Sequence, residues 1–180
     1  RASPPATLRP MPLPGLYPRG GPRPTTSRGE RLVYEALART LPVGWYAWHS
    51  LRLRSAKGWE GEGDFVVAVP EVGVVLLEVK GGRVTLEDGQ WRQSGHAMDR
   101  APRDQAHGYR RLLVSKLKER GIAQGPFTVI ATAFPETAFE QGPSNGDLDD
   151  AIFGAQHLAT LGGELERLAE EIRASGKLPR

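Results

Sequence analysis

The sequence predicts an α/β domain in which a mixed β-sheet is flanked by helices, and three observations carry that expectation. Two β-branched runs, Asp64-Phe65-Val66-Val67-Ala68-Val69 and Val74-Val75-Leu76-Leu77-Glu78-Val79, are separated only by Pro70-Glu71-Val72-Gly73. So short a connection makes them an antiparallel hairpin, and strands with apolar residues at almost every position must be covered on both faces. Helical patterns over 27–40 and 102–120 lie on either side of the hairpin in the chain and supply that cover.

Taken in order, residues 1–26 hold eight of the 15 prolines and no periodic apolar pattern, which predicts an extended, disordered Pro/Arg-rich tail that adds little to stability. A globular domain is expected over 27–160. It opens at Ser27-Arg28-Gly29-Glu30, a capping box, and the helix that follows places Val33, Leu37 and Leu41 on one stripe until Pro42 stops it. Residues 45–53 read as a strand, 55–63 as a polar Gly-rich loop, and the two β-branched runs come next. Segments 83–86 and 90–93 flank Asp88-Gly89, the strongest short hairpin signal in the chain. The longest helix runs from Pro102, suited to a first helical position, through Leu112, Leu113 and Leu117 to the stop at Gly121. A buried strand over 127–134, a short last strand at 151–153 and an amphipathic helix at about 163–174 complete the pattern. The segment 161–180 is set apart as a C-terminal helix leading toward a further domain.

Composition narrows the chemistry. The chain of 180 residues has no Cys, which removes disulfides, thiolate zinc sites and thiol nucleophiles, and leaves only His49, His96, His107 and His157 as nitrogen ligands. A metal, if used, is expected on carboxylates. No apolar run approaches a membrane span and no signal-peptide pattern is present, so a soluble, cytoplasmic protein without membrane contact is expected. The chain begins at Arg1 rather than Met, as a processed chain or an excerpt of a longer one would. Its formal charge of +3 is uneven: Arg1, Arg9, Arg19, Arg23 and Arg28 meet no acid before residue 29, and without those five the 24 bases fall to 19 against 21 acids. The body is therefore not basic overall, and a nucleic-acid surface on it must be a local patch or recruit metal to offset phosphate repulsion.

Chemistry concentrates on the hairpin. A three-residue loop after Val69, with Gly73 left-handed or bulged, sets Asp64 across from Glu78 and on the same side as Lys80; loops of two or four residues set it opposite Leu77 or Val79 instead. In every register Glu78 and Lys80 share a side, since they are two apart. Three charges at one end of an apolar hairpin either neutralise one another or bind an ion, because unpartnered buried charge costs several kcal/mol. Asp64, Glu78 and the carbonyl of Val79 make a hard oxygen site suited to Mg²⁺ or Mn²⁺, an ion that polarises a phosphodiester and lowers the pKa of bound water. Lys80 would orient or deprotonate that water and stabilise developing negative charge.

With its spacing Asp-x13-Glu-x-Lys, the sequence resembles the PD-(D/E)xK nuclease superfamily and, within it, the NERD (nuclease-related) domain. The resemblance runs through Gly29-Glu30, Gly63-Asp64-Phe65-Val66-Val67, the stretch from Gly73 through Glu78-Val79-Lys80-Gly81, Asp88-Gly89-Gln90-Trp91 and Pro102-Arg103-Asp104-Gln105-Ala106, covering roughly 29–135. It implies a restriction-endonuclease-like core, Asp64 and Glu78 as metal ligands, Lys80 as catalytic lysine, and Glu30 and Gln105 as auxiliary active-site residues. It also implies a domain that commonly precedes a helicase, fused or associated. Gly63 departs from the family, which more often has a bulkier residue before the aspartate.

The activity expected is metal-dependent hydrolysis of DNA phosphodiester bonds by an endo- or exodeoxyribonuclease, with Mg²⁺ or Mn²⁺ as cofactor and DNA as partner. The alternative is a non-catalytic nucleic-acid-binding or partner-docking module that keeps the fold. Simpler readings stand beside each residue: Asp64, Glu78 and Lys80 as a structural salt-bridge cluster, Glu30 as a helix cap, Gln105 as a core hydrogen-bonder, and the four His as surface or structural. Arg100, Arg103, Arg110 and Arg111 suit a solvated helix face or phosphate contacts, and Trp59 a base stack.

Overall fold

The computed structural model describes residues 12–122, 124–139 and 151–178. In chain order it contains β1 (Gly15–Tyr17), α1 (Arg28–Thr40), β2 (Tyr46–Arg54), β3 (Glu60–Val69), β4 (Gly73–Val79), β5 (Val84–Glu87), β6 (Gln90–Gln93), β7 (His96–Ala97), α2 (Pro102–Glu119), β8 (Thr128–Phe134), β9 (Ala151–Gly154), a 3-10 turn (Ala155–Thr160) and α3 (Leu161–Ala174). Six strands form one mixed sheet in the order β1-β2-β3-β4-β8-β9, and β5-β6-β7 form a small second sheet. The β2-β3 and β3-β4 pairs are antiparallel, whereas β1-β2, β4-β8 and β8-β9 are parallel.

The sheet is a filling between two helical layers. Val33 and Leu37 of α1 and Leu161, Leu165 and Ile172 of α3 pack with Phe65, Val67, Val75 and Leu77 on one face; Ala106, Tyr109 and Leu113 of α2 pack with Val66, Leu76 and Ile130 on the other. Both faces of β3 and β4 are thus covered, as their nearly uninterrupted apolar runs require. The α/β class and the flanking helices expected from the sequence are what the chain adopts.

The hairpin register is the one that serves the site. Phe65 pairs with Leu77 and Val69 with Gly73, which leaves a three-residue loop and sets Asp64 opposite Glu78. Gly73 has φ 141°, and a Cβ there would lie 2.1 Å from the carbonyl oxygen of Phe127, so no other residue fits.

Three expectations are corrected. The arm over 1–26 is not wholly an unstructured tail: residues 1–11 lie outside the described residues, but from Gly15 onward the chain is built into the fold. β1 pairs with Tyr46–Trp48 at the edge of the sheet, where prolines on either side cost no ladder bonds. Tyr17 stacks on Trp48 with ring centroids 6.4 Å apart, and Leu16 packs on the core. Tyr34 of α1 donates its O–H to the carbonyl of Pro18 and accepts from the N–H of Gly21 at 3.1 Å. A few aromatic and apolar anchors outweigh the proline count.

The loop expected over 55–63 ends early, because β3 starts at Glu60. Glu60 and Glu62 face Arg54 and Arg52 across the ladder. Gly61 and Gly63 lie under α2, where a Cβ would come within 2.8 Å of Leu112 and 2.6 Å of Tyr109. The alternation of Glu and Gly is a strand pattern whose inward positions are kept bare so that α2 can approach. The Tyr109 ring fills the space above Gly63, which accounts for the small residue before Asp64. Lastly, α3 is no appendage: Leu161, Leu165, Ala169 and Ile172 are fully buried in the same core as α1. The strands β1 and β7 and the 3-10 turn, all short, carry no period long enough to be read from sequence.

Candidate active site

The site forms where the sheet opens. Pairing between β3 and β4 ends at Phe65 and Leu77, so Asp64 and Glu78 are the first residues beyond the last rung. At the same level β2 turns over: Ser50, directly across from Asp64, has φ 53°, a left-handed conformation uncommon for serine. Consequently Trp48 and Leu51, three apart, both pack on the α2 side, and β3 changes face likewise between Val66 and Gly63. Asp64 sits on this turnover, and its Oδ2 accepts the N–H of Val79 at 2.8 Å. A side-chain oxygen replaces the missing ladder partner and pins the carboxylate against β4.

Lys80 follows β4, its backbone N–H donating to Ala133 at 3.0 Å. Its Nζ donates to Glu78 Oε1 at 2.7 Å and to Gln105 Oε1, in the first turns of α2, at 2.8 Å. The Lys80 and Glu78 side chains are only 14% and 11% exposed, so this pair is shielded from water. Burial, with the charge of Glu78 added to it, pushes the Asp64 carboxyl from 3.8 up to about 7. Burial also raises Glu78, against the opposing pull of Lys80. Glu30 raises both carboxyls further, which places its charge close by.

Glu30 arrives from α1. Ser27 caps the helix by accepting the N–H of Glu30 at 3.2 Å, and Glu30 Oε2 meets His49 Nε2 of β2 at 2.8 Å. The approach of α1 depends on Gly29, where a Cβ would lie 2.9 Å from the Cα of Gly81. Two of the blocks that carry the resemblance, Gly29-Glu30 and Lys80-Gly81, are therefore in van der Waals contact. The turn after Lys80 is held in turn by Glu136, which accepts from the N–H of Gly82 at 2.6 Å and pairs with Arg28 at 3.3 Å.

The structure thus brings together Asp64, Glu78, Val79, Lys80, Gln105 and Glu30. Gln105 is exposed rather than facing the core, and it reaches Lys80 from the flank of α2. Lys80 and Gln105 line an open cleft of about 490 Å³ together with Gln93, His96 and Arg100. The sequence offered His49 only as one of four surface or structural histidines, and did not single out Glu136. His49 shares the inward face of β2 with Ala47, and a polar residue on an otherwise apolar stripe is the one signal it offers. Glu136 has none, because its partners lie 54 and 108 positions away along the chain.

The donor set is oxygen only. Among the described residues, no three side chains of His, Cys, Asp or Glu form a group that could hold a metal ion. An ion here would rest on Asp64, Glu78, the Val79 carbonyl and water, a set that fits Mg²⁺ or Mn²⁺, which keep several waters and take one or two carboxylates. Burial first, and then the Glu78 charge, raise Asp64, and a divalent cation would offset both.

An α/β core with a carboxylate pair and a lysine at the opening of a mixed sheet is the architecture of a nuclease-like domain. The model of the nuclease-related domain (NERD) family matches residues 25–133, more than half of the chain, and the chain belongs to that family. Comparison with curated proteins and with solved structures gives no match. No helix among the described residues is long and apolar enough to cross a membrane.

Proposed function

We propose that the chain is a metal-dependent deoxyribonuclease domain, and the observation that supports this most is the convergence of Asp64, Glu78 and Lys80 at the opening between β3 and β4. Asp64 and Glu78, with the Val79 carbonyl, would hold Mg²⁺ or Mn²⁺, which supplies Lewis acidity toward a phosphodiester. The protein's own part is orientation and charge. Val79 N–H fixes Asp64, Gln105 and Glu78 hold the Lys80 ammonium at the mouth of the cleft, and that ammonium orients the attacking water and meets negative charge as it develops on the phosphate. A second reading, a non-catalytic module, draws on one observation: Lys80 is already paired with Glu78, as in a structural salt bridge. Incubating the protein with supercoiled plasmid and with single-stranded circles, in Mg²⁺, Mn²⁺ or EDTA, separates the two. Metal-dependent cleavage by the wild type, abolished in Lys80→Ala while Mn²⁺ binding persists, is the expected result. Equal cleavage by Lys80→Ala and wild type sinks the mechanism.

A further inference from the structure

We infer that His49 is a positioning residue for Glu30 and that the N-terminal arm sets its tautomer. The inference deepens the nuclease reading and rests on it.

The imidazole of His49 is 1% exposed, enclosed by Phe65 at 4.9 Å and Tyr34 at 5.9 Å between ring centroids. Both ring nitrogens are engaged. Nδ1 lies 3.0 Å from the backbone nitrogen of Arg23, and a backbone N–H can only donate, so Nδ1 carries the lone pair. The proton of the neutral ring then sits on Nε2, which donates to Glu30 Oε2 at 2.8 Å. Reversing the tautomer would set N–H against N–H at Arg23 and lone pair against lone pair at Glu30, so the arm decides which nitrogen holds the proton. Glu30 projects from the first turn of α1 with its side chain 18% exposed, and its charge is felt by both Asp64 and Glu78. The bond to His49 holds it there. Arg23 lies between Pro22 and Pro24, in a stretch whose backbone is already restricted, so its N–H is presented from a stiff segment. Outer partners of this kind typically change activity or metal affinity by about 10–100-fold when removed.

Three variants of the His49 and Arg23 positions, and Glu30→Gln alone and combined, test this. His49→Phe keeps a ring of similar shape and loses both bonds, His49→Gln keeps a donor and an acceptor, and Arg23→Pro deletes the one N–H in a segment already suited to proline. In the wild type, a long-range ¹H–¹⁵N spectrum should show His49 protonated on Nε2 alone, whatever the cleavage assay finds. On plasmid or single-stranded circles with Mn²⁺, kcat should fall about 10–100-fold in His49→Phe and measurably in Arg23→Pro, with partial rescue in His49→Gln. Glu30→Gln combined with His49→Phe should cut no more slowly than Glu30→Gln alone, because His49 acts only through Glu30. A proton on Nδ1, an unaffected kcat, or independent losses in the double variant would each overturn the inference while leaving a cleaving wild type intact. A wild type that cuts neither substrate overturns the nuclease reading, and this inference with it.

Discussion

Asp64 pays for its place with its own ionisation. Its carboxyl, near 3.8 when unfolded, is held at about 7 in the folded chain by burial and by Glu78. Between those values the folded state keeps a proton that the unfolded state has released, so stability falls as pH rises from about 4 to about 7 and levels off above. A tenfold change in proton affinity between the two states corresponds to about 1.4 kcal/mol. Asp64→Asn keeps an oxygen for Val79 N–H and discards the charge. Without metal it should melt at or above the wild type at pH 8, and its melting temperature should decline less across that pH window, Glu78 keeping its own share. Added Mn²⁺ should stabilise the wild type by about 2.7 kcal/mol at a hundred times Kd and the variant by much less. Thermal melts at pH 5 and 8, with EDTA and with Mn²⁺, check all three; an Asp64→Asn that melts several degrees lower without metal would make the cluster scaffolding. The residues of this cluster were legible because strand periodicity alone sets Glu78 and Lys80 on one side, and one choice of loop adds Asp64. His49 and Ser50 were not: one acts through a contact between layers, and the other takes a left-handed conformation that serine does not announce.

Among the elements, the meeting of α1 with the turn after β4 decides whether Glu30 reaches the carboxylates. Gly29→Ala drives a methyl to 2.9 Å from the backbone of Gly81 and 3.1 Å from the Pro135 ring, so the first turn of α1 must lift. Overpacking of this kind typically costs about 1–3 kcal/mol. The expected outcome is a lower melting temperature together with a lower kcat, measured on the same preparation; an unchanged kcat would show that Glu30 does not depend on this contact. Helices and strands with long periods were readable from sequence, α1, α2, β4 and β8 to within a residue or two. The start of β3 was not, because Gly61 and Gly63 look like loop residues until the Leu112 and Tyr109 side chains above them are known.

For the whole molecule, the N-terminal arm changes from a passenger to a part of the wall. Beyond the ladder of β1 with β2 and the Gly15 N–H bond to Trp45, three of its hydrogen bonds reach side chains of the body, two through the Tyr34 hydroxyl and one through His49. At roughly 1 kcal/mol each, and with Leu16 and Tyr17 packed as well, they are worth several kcal/mol before the entropy of ordering the arm is subtracted. Deleting residues 1–24 should therefore lower the melting temperature by several degrees and reduce kcat along with it, as calorimetry and the plasmid assay would show. An unchanged melting temperature would mean that the arm is held too weakly to matter. Composition misled here because proline content speaks to backbone stiffness, whereas docking was decided by four or five side chains.

The burial of α3 bears on modularity. The family match ends at residue 133, while the face of the sheet that carries Phe65, Val75 and Leu77 is roofed by Leu161, Leu165 and Ile172. A fragment cut to the matched span would keep Glu30, Asp64, Glu78, Lys80 and Gln105 but lose β1, β9 and that roof, leaving α1 alone over an apolar sheet face partly open to water. The span shared with the family and the span that closes this core are different lengths.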